Sequence, residues 1–140
     1  MFLLDTNVLS AMMSATPVPE VAAWVSGQPI EVLFTASICQ AEILSGLAIM
    51  PVGRRRADLI EAARAMFMED FDGRVLPFDM AAAVAYADIF AARRGTGRPA
   101  ATVNLMIASV ALSQGISVVT RNVGDFNECG VAVVNPWDSR

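Results

Sequence analysis

The sequence predicts an α/β fold in which a five-stranded parallel sheet is flanked by helices on both faces. Five short apolar runs alternate with longer helical stretches along the chain, and this order produces a parallel sheet. The apolar runs are continuous rather than alternating, as expected of strands that are covered on both faces. The chain has 140 residues, which suits one domain with a sizeable core. We therefore expect residues 1–140 to form a single domain.

The strands are predicted from short apolar segments that end in polar or turn-forming residues. The first is Phe-Leu-Leu, which is followed directly by Asp5. An Asp at the end of a strand either caps the following helix or belongs to a site at the carboxyl edge of the sheet. The predicted strands cover residues 2–4, 32–35, 74–78, 117–120 and 131–134.

The helices are predicted from their capping residues and stop signals. Ser37 followed by Gln40 matches a capping box, Asp79 caps a later helix, and Gly115 ends the last one. The last helix is apolar almost all round, so we expect it to be buried. The predicted helices cover residues 8–14, 20–26, 37–50, 54–71, 80–94 and 101–114.

The composition excludes several classes of protein. Hydrophobic residues make up 55% of the chain and charged residues 17%, which indicates a large core and a surface buried by a partner. No apolar run reaches the roughly 18 residues of a membrane span, and Asp5 interrupts any signal sequence, so we expect a cytoplasmic protein. The absence of His excludes His-based catalysis, and two Cys do not make a disulfide framework.

The charges do not indicate a protein that binds nucleic acid through its net charge, which is −4. The run from Arg54 to Arg56 is interpreted as a solvated face of a helix. The polar stretch from Arg93 to Pro99 is the better candidate for a contact with phosphate, because it is predicted to be a loop. Acidic residues gathered at one place could instead bind Mg²⁺ or Mn²⁺, which prefer oxygen ligands.

Polar side chains recur near the predicted carboxyl edge of the sheet. Each has a local explanation as a cap, a turn former or a solvated residue, and Glu42 in particular could simply favour the N-terminal half of its helix. If they converge, however, they form a site of hard oxygen ligands suited to phosphodiester hydrolysis with divalent cations. The residues in question are Asp5, Glu42, Asn104, Asn122 and Asp125.

The sequence resembles the PIN-domain ribonucleases, specifically the VapC-type toxins of type II toxin–antitoxin pairs and their FitB-like branch. The resemblance spans the whole chain, and LDTN (4–7) and TRN-x-x-DF (120–126) are its most specific pieces. The matching segments are LLDTNV (3–8), SICQAE (37–42), GRRR (53–56), VLPFD (75–79), NLMIA (104–108), TRNVGDF (120–126) and NPW (135–137).

The resemblance implies which residues form the site. Asp5 and Glu42 fall at the positions of the first two metal-binding acids, and Asn104 falls where the family usually has Asp. Some relatives have Asp at the position of Asn122, and others have Asn there with Asp three residues later, as Asp125 stands here. The residues implied to support these ligands through hydrogen bonds are Thr6, Thr120 and Asn122.

The resemblance also implies how the protein works. It implies cleavage of RNA with Mg²⁺ or Mn²⁺, a homodimer, and an antitoxin that wraps the toxin and blocks its site, with DNA contacted only through the antitoxin. Asn104 keeps an oxygen ligand but lacks the charge of Asp, so activity should be weak. It is either a natural variant of low activity or a deliberate Asp→Asn change.

Two alternatives to a ribonuclease remain at this point. The chain could be a catalytically silent PIN-like module that acts through protein contacts in an antitoxin–DNA complex, which Asn104 and the acidic balance favour. A small-molecule α/β domain has little support, because the sequence contains no Gly-rich phosphate loop.

Overall fold

The computed structural model describes residues 1–97 and 101–138, which form five strands and six α-helices with short 3-10 turns. The strands are β1 (Phe2–Leu4), β2 (Leu33–Ala36), β3 (Val75–Leu76), β4 (Ser117–Val119) and β5 (Val133–Val134). The helices are α1 (Thr6–Met13), α2 (Pro19–Ser26), α3 (Ser37–Ala48), α4 (Arg54–Ala65), α5 (Met80–Gly95) and α6 (Thr102–Gln114).

All neighbouring strands pair in parallel, in the order β3-β2-β1-β4-β5. Strand β1 is central, because Phe2 pairs with Leu33 on one side and with Ser117 on the other. Leu3 and Leu4 are fully buried, as expected for a strand covered on both faces. The predicted fold class is therefore confirmed, and the first strand ends at the middle of the sheet's carboxyl edge.

Two helix starts differ from the prediction. The first helix begins at Thr6 rather than residue 8, because Asp5 is its N-cap and accepts a hydrogen bond from the backbone N–H of Thr6. The capping box at Ser37 is wrong. Strand β2 continues directly into α3, so the extended residue Ala36 occupies the N-cap position without a side-chain cap and Ser37 is already helical.

The helix predicted for residues 54–71 is interrupted. Helix α4 ends at Ala65 and continues as a π-helical turn over Met66–Asp70, in which the N–H of Phe71 donates to the carbonyl of Met66 at 2.9 Å. The widened turn places Met66, Phe67 and Phe71 in the core. Burial of these three side chains accounts for the departure from regular helix.

Two other helix ends were predicted correctly. Asp79 caps α5 by accepting from the N–H of Ala82, and Gly115 ends α6 in the left-handed conformation with φ +68°. Helix α6 is largely buried, as its composition indicated. No helix in the described part of the chain is both long and apolar enough to cross a membrane.

The loop prediction for residues 93–99 was partly wrong. Helix α5 extends to Gly95, and the side chain of Arg93 is buried, with its guanidinium donating to the carbonyl of Asn127. Arg93 is therefore not available for a phosphate. Arg98 and Pro99 lie outside the described residues.

Candidate active site

Asp5 lies at the carboxyl end of the central strand and is only 4% exposed. Its backbone N–H donates to the carbonyl of Val119 at 2.9 Å, which joins the ends of β1 and β4. Its Oδ1 accepts from the N–H of Thr6 at 2.7 Å, and its Oδ2 accepts from the hydroxyl of Thr120 at 2.8 Å. The residue is thus both a helix cap and a buried carboxylate at the edge of the sheet.

Glu42 lies in the second turn of α3, beside the first residue of α1. Its side chain is exposed, yet its Oε1 accepts a hydrogen bond from the hydroxyl of Thr6. Thr6 therefore contacts both acids, one through its backbone and the other through its side chain. Glu42 is thus exposed to solvent and linked to Asp5 through Thr6, and its role as a ligand stays a prediction.

The charges around Asp5 oppose its ionisation. Burial is the largest cause that raises the pKa of Asp5 above 3.8, and the negative charges of Glu42 and Asp125 raise it further. Hydrogen bonds from Thr120 and Thr6 lower this pKa and partly offset the burial. Three acids that are distant in sequence therefore interact electrostatically at one edge of the sheet, as expected for a site that attracts cations.

Asp125 and Asn104 lie on two further elements, and of these two only Asp125 influences the pKa of Asp5. Asp125 is exposed in the 3-10 turn Val123–Phe126, whose last residue is 1% exposed and anchors the turn in the core. Asn104 is half-buried in the first turn of α6. Helix α6 packs on α3, which carries Glu42, and on the turn that carries Asp125.

Asn122 contributes through its backbone. Its N–H donates to the hydroxyl oxygen of Thr120 at 3.0 Å, whereas the residue itself is largely exposed. A second residue of the same region was not predicted for the site. The side chain of Asn7 contacts Thr120, the backbone of Arg121 and, at 3.5 Å, Oδ2 of Asp5. No local sequence signal connects Asn7 to a residue 113 positions away.

The donor atoms suit a hard divalent cation, but the acids are not gathered into a cage. Carboxylate and amide oxygens are the ligands that Mg²⁺ and Mn²⁺ prefer, and the pKa of Asp5 is raised mainly by burial and further by the charges of Glu42 and Asp125. Within residues 1–97 and 101–138, no group of three or more acidic or Cys side chains is placed to hold a metal ion. Binding of a cation would therefore require Glu42 and Asp125, which are both exposed, to move closer to Asp5.

The cysteines do not add a nucleophile to the site. Cys39 and Cys129 are both buried and unpaired. Burial, with the negative charge of Asp5 nearby, raises the pKa of the Cys39 thiol to about 12. A thiol with this pKa stays protonated at neutral pH and is inert.

A groove of about 950 Å³ extends from Thr6 and Glu42 between α1, α3 and α4. Its walls include apolar side chains such as Leu47 and Leu59, and Arg54 and Arg55 line it further along. The side chain of Arg54 is 94% exposed and lies 3.9 Å from Asp58, so the interpretation as a solvated helix face fits it.

The comparisons with known proteins now define the class. A model of the PIN domain family matches residues 2–130, and the chain therefore belongs to the PIN domain family. VapC ribonuclease Y4jK from Sinorhizobium fredii is 38% identical over 99% of this chain and 99% of its own length. Toxin FitB from Neisseria gonorrhoeae is 35% identical over 98% of this chain and 99% of its own length.

The solved structures agree with this family. The structure of FitAB bound to an IR36 DNA fragment matches with a TM-score of 0.93 and 34% identity, covering 100% of this chain and 98% of that chain. The predicted resemblance to the PIN-domain toxins and the predicted fold are thereby confirmed. Within the PIN family, the chain groups with the toxin nucleases of toxin–antitoxin systems.

Proposed function

We propose that this chain is a Mg²⁺- or Mn²⁺-dependent endoribonuclease and the toxin of a toxin–antitoxin pair. The observation that carries the proposal is the buried carboxylate of Asp5, whose pKa is raised by burial and by the charges of Glu42 and Asp125. A buried carboxylate among like charges is costly unless a cation or hydrogen bonds stabilise it. The similarity to VapC ribonuclease Y4jK supports RNA as the substrate.

Four side chains line the proposed site. Asp5 binds the cation directly, and Glu42 is either a second ligand or positions the attacking water. Asn104 offers an amide oxygen, and Asp125 supplies the acid that other relatives carry at the position of Asn122. When bound, the divalent cation lowers the pKa of water and offsets charge on the phosphodiester. Thr6 and Thr120 hold the two acids through the hydrogen bonds described above.

Asn104 sets the expected level of activity. An amide keeps the shape and the oxygen of a carboxylate, but it carries no charge. Binding of a divalent cation should therefore be weaker than with Asp at this position, and activation of water should be weaker as well. The proposed enzyme is accordingly slow.

The proposed partners are an antitoxin protein, RNA and a second copy of the chain. The similarity to the FitAB assembly, which is bound to DNA, supports an antitoxin partner. We propose that this chain contacts DNA only through that antitoxin. The groove beside Glu42 is where an antitoxin segment would block the site, because it opens next to Thr6 and has apolar walls. We also propose that residues 1–140 form one PIN domain that works in the cytoplasm.

A second candidate is a catalytically silent PIN-like module that acts only through the antitoxin and DNA. The observation that favours it is the lack, within the described part of the chain, of three acidic side chains placed around a common point. Asn104 favours it too, because it removes one further charge from the site.

Calorimetry with Mn²⁺ distinguishes the two candidates. The ribonuclease predicts binding that is lost in Asp5→Ala and kept in Asp88→Ala, a matched control because Asp88 is exposed on α5. Cleavage of RNA should follow the same pattern: the unchanged chain and Asp88→Ala cleave it, and Asp5→Ala does not. Equal binding in all three proteins, or binding in none, supports the silent module instead.

A further inference from the structure

Asn7 occupies a position between the ends of β1 and β4 that the proposed mechanism does not use. Its Oδ1 accepts from the backbone N–H of Arg121 at 3.2 Å. Because a backbone N–H can only donate, the atom facing it must be the amide oxygen. The orientation of the Asn7 side chain is therefore fixed, and its Nδ2 must point towards Thr120, whose oxygen lies at 3.2 Å. The same Nδ2 also lies 3.5 Å from Oδ2 of Asp5, a longer and weaker contact.

This orientation determines what the Thr120 hydroxyl can do. Its oxygen has two lone pairs and one hydrogen. The Nδ2 of Asn7 and the backbone N–H of Asn122 both donate to this oxygen, the second at 3.0 Å. Both lone pairs are then occupied, so the single hydrogen must be directed at the remaining neighbour, Oδ2 of Asp5 at 2.8 Å.

We propose that Asn7 is a positioning residue that fixes the direction of the Thr120 hydroxyl and, through it, the side chain of Asp5. Thr120 is fully buried and Asp5 nearly so, so water cannot easily replace a lost partner. With Oδ1 already engaged by the N–H of Thr6, the Asp5 carboxylate is held by donors on both oxygens. The inference rests on the proposed cation site, because it states how the central ligand of that site is held.

A double-mutant cycle tests whether Asn7 acts through Thr120. The variants are Asn7→Ala, Thr120→Val and the double variant, with Gln114→Ala as a control, because Gln114 also carries an amide and is exposed at the end of α6. Loss of a partner that orients a metal ligand weakens metal binding by about 10- to 100-fold. We expect about tenfold weaker Mn²⁺ binding in each single variant and less than about twofold further loss from Asn7→Ala in the Thr120→Val background. Thr120→Ser keeps the hydroxyl and should restore the dependence on Asn7.

A direct effect of Asn7 on Asp5, or a merely structural link from Asn7 to the backbone of Arg121, predicts a different pattern. Asn7→Ala would then cost the same with Thr, Ser or Val at position 120, and this result would overturn the proposal. The Thr120→Ser variant gives the more specific test, because it removes one methyl group and keeps the hydroxyl donor.

Urea unfolding without added metal separates this inference from the proposed function. Coupling between Asn7 and Thr120 should appear as about a fivefold effect on the unfolding equilibrium constant, the size expected for one hydrogen bond. If the unchanged protein binds no Mn²⁺ but the coupling is present, the cation site fails and the positioning role stands. Additive unfolding effects refute the positioning role whatever the metal does.

NMR of the unchanged protein provides a test that needs no variant. The hydroxyl proton of the buried Thr120 should exchange slowly and show a contact with the side-chain amide of Asn7. If that hydroxyl proton exchanges as fast as those of exposed Thr residues, the arrangement is refuted.

Discussion

Asn104→Asp places one carboxylate in the proposed site and should raise its activity. The residue is half-buried in the first turn of α6. Two unit charges about 4 Å apart interact by about 1 kcal/mol in water and about 4 kcal/mol at an effective dielectric constant near 20. The site lies between these limits, because Asp5 is buried whereas Glu42 and Asp125 are exposed.

Two further effects modify the gain in cation binding that the new carboxylate provides. A new carboxylate repels Asp5, whose pKa is already raised partly by Glu42 and Asp125. The N-terminus of α6 favours a negative charge by about 0.3–1 kcal/mol, which offsets part of the repulsion. We therefore expect a net gain of about 1.4–2.8 kcal/mol, which corresponds to about 10- to 100-fold tighter Mn²⁺ binding and faster cleavage.

Single-turnover cleavage of RNA with Mn²⁺ and enzyme in excess measures the effect directly, and calorimetry measures the affinity. Gln114→Glu is the matched control, because it adds the same charge to the exposed last residue of the same helix, about 15 Å further along the helix axis. The absence of a gain in Asn104→Asp, or an equal gain in Gln114→Glu, would refute the assignment of this position to the site.

Three further predictions concern stability. Burial raises the pKa of Asp5 above 3.8, so the folded protein binds this proton more tightly than the unfolded chain. The resulting stabilisation is complete below pH 3.8, and it is lost as the pH rises through the raised pKa of the folded state. Asp5→Asn should flatten that part of the pH profile in urea titrations. Arg93→Met removes the hydrogen bond to the carbonyl of Asn127, which follows the 3-10 turn Val123–Phe126. It should lower the free energy of unfolding by about 2 kcal/mol and speed amide exchange in that turn. An unchanged urea midpoint would contradict this prediction. Gly115→Ala should destabilise the protein by about 1 kcal/mol because φ is +68° there, whereas Gly46→Ala, inside a helix with open space around the site, should stabilise it by up to about 1 kcal/mol in thermal melts.

The position of Asp5 illustrates what the sequence could predict. The apolar run before it placed the residue at the end of a buried strand, and the parallel order placed that end at the carboxyl edge of the sheet. The choice between cap and site could not be made locally. A carboxylate has two oxygens, and here Oδ1 caps the helix while Oδ2 contacts Thr120.

Contacts between distant residues were beyond the sequence. Nothing near Asn7 indicates that its amide meets Thr120, because the contact exists only once β1 and β4 are paired. The burial of Arg93 was missed for a similar reason. Whether an Arg in the last turn of a helix faces solvent or core depends on how that helix packs, which a polar composition does not reveal.

Helix boundaries were limited by tertiary packing. The capping box at Ser37 obeyed the local rule, but the strand before it leads into the helix without an intervening residue. The π-helical turn at Met66–Asp70 likewise depends on a core that must accommodate Met66 and Phe67. Propensity and capping rules identify these elements, and the core decides where each one ends.

The central place of β1 has a consequence for synthesis on the ribosome. The second residue of the chain pairs with residue 117. At typical translation rates, β4 is therefore synthesised on the order of ten seconds after β1. Thr120 and Asp125 emerge later still. A nascent or prematurely terminated chain therefore lacks Thr120 and Asp125, so under the proposed function the cation site is incomplete until translation is nearly finished.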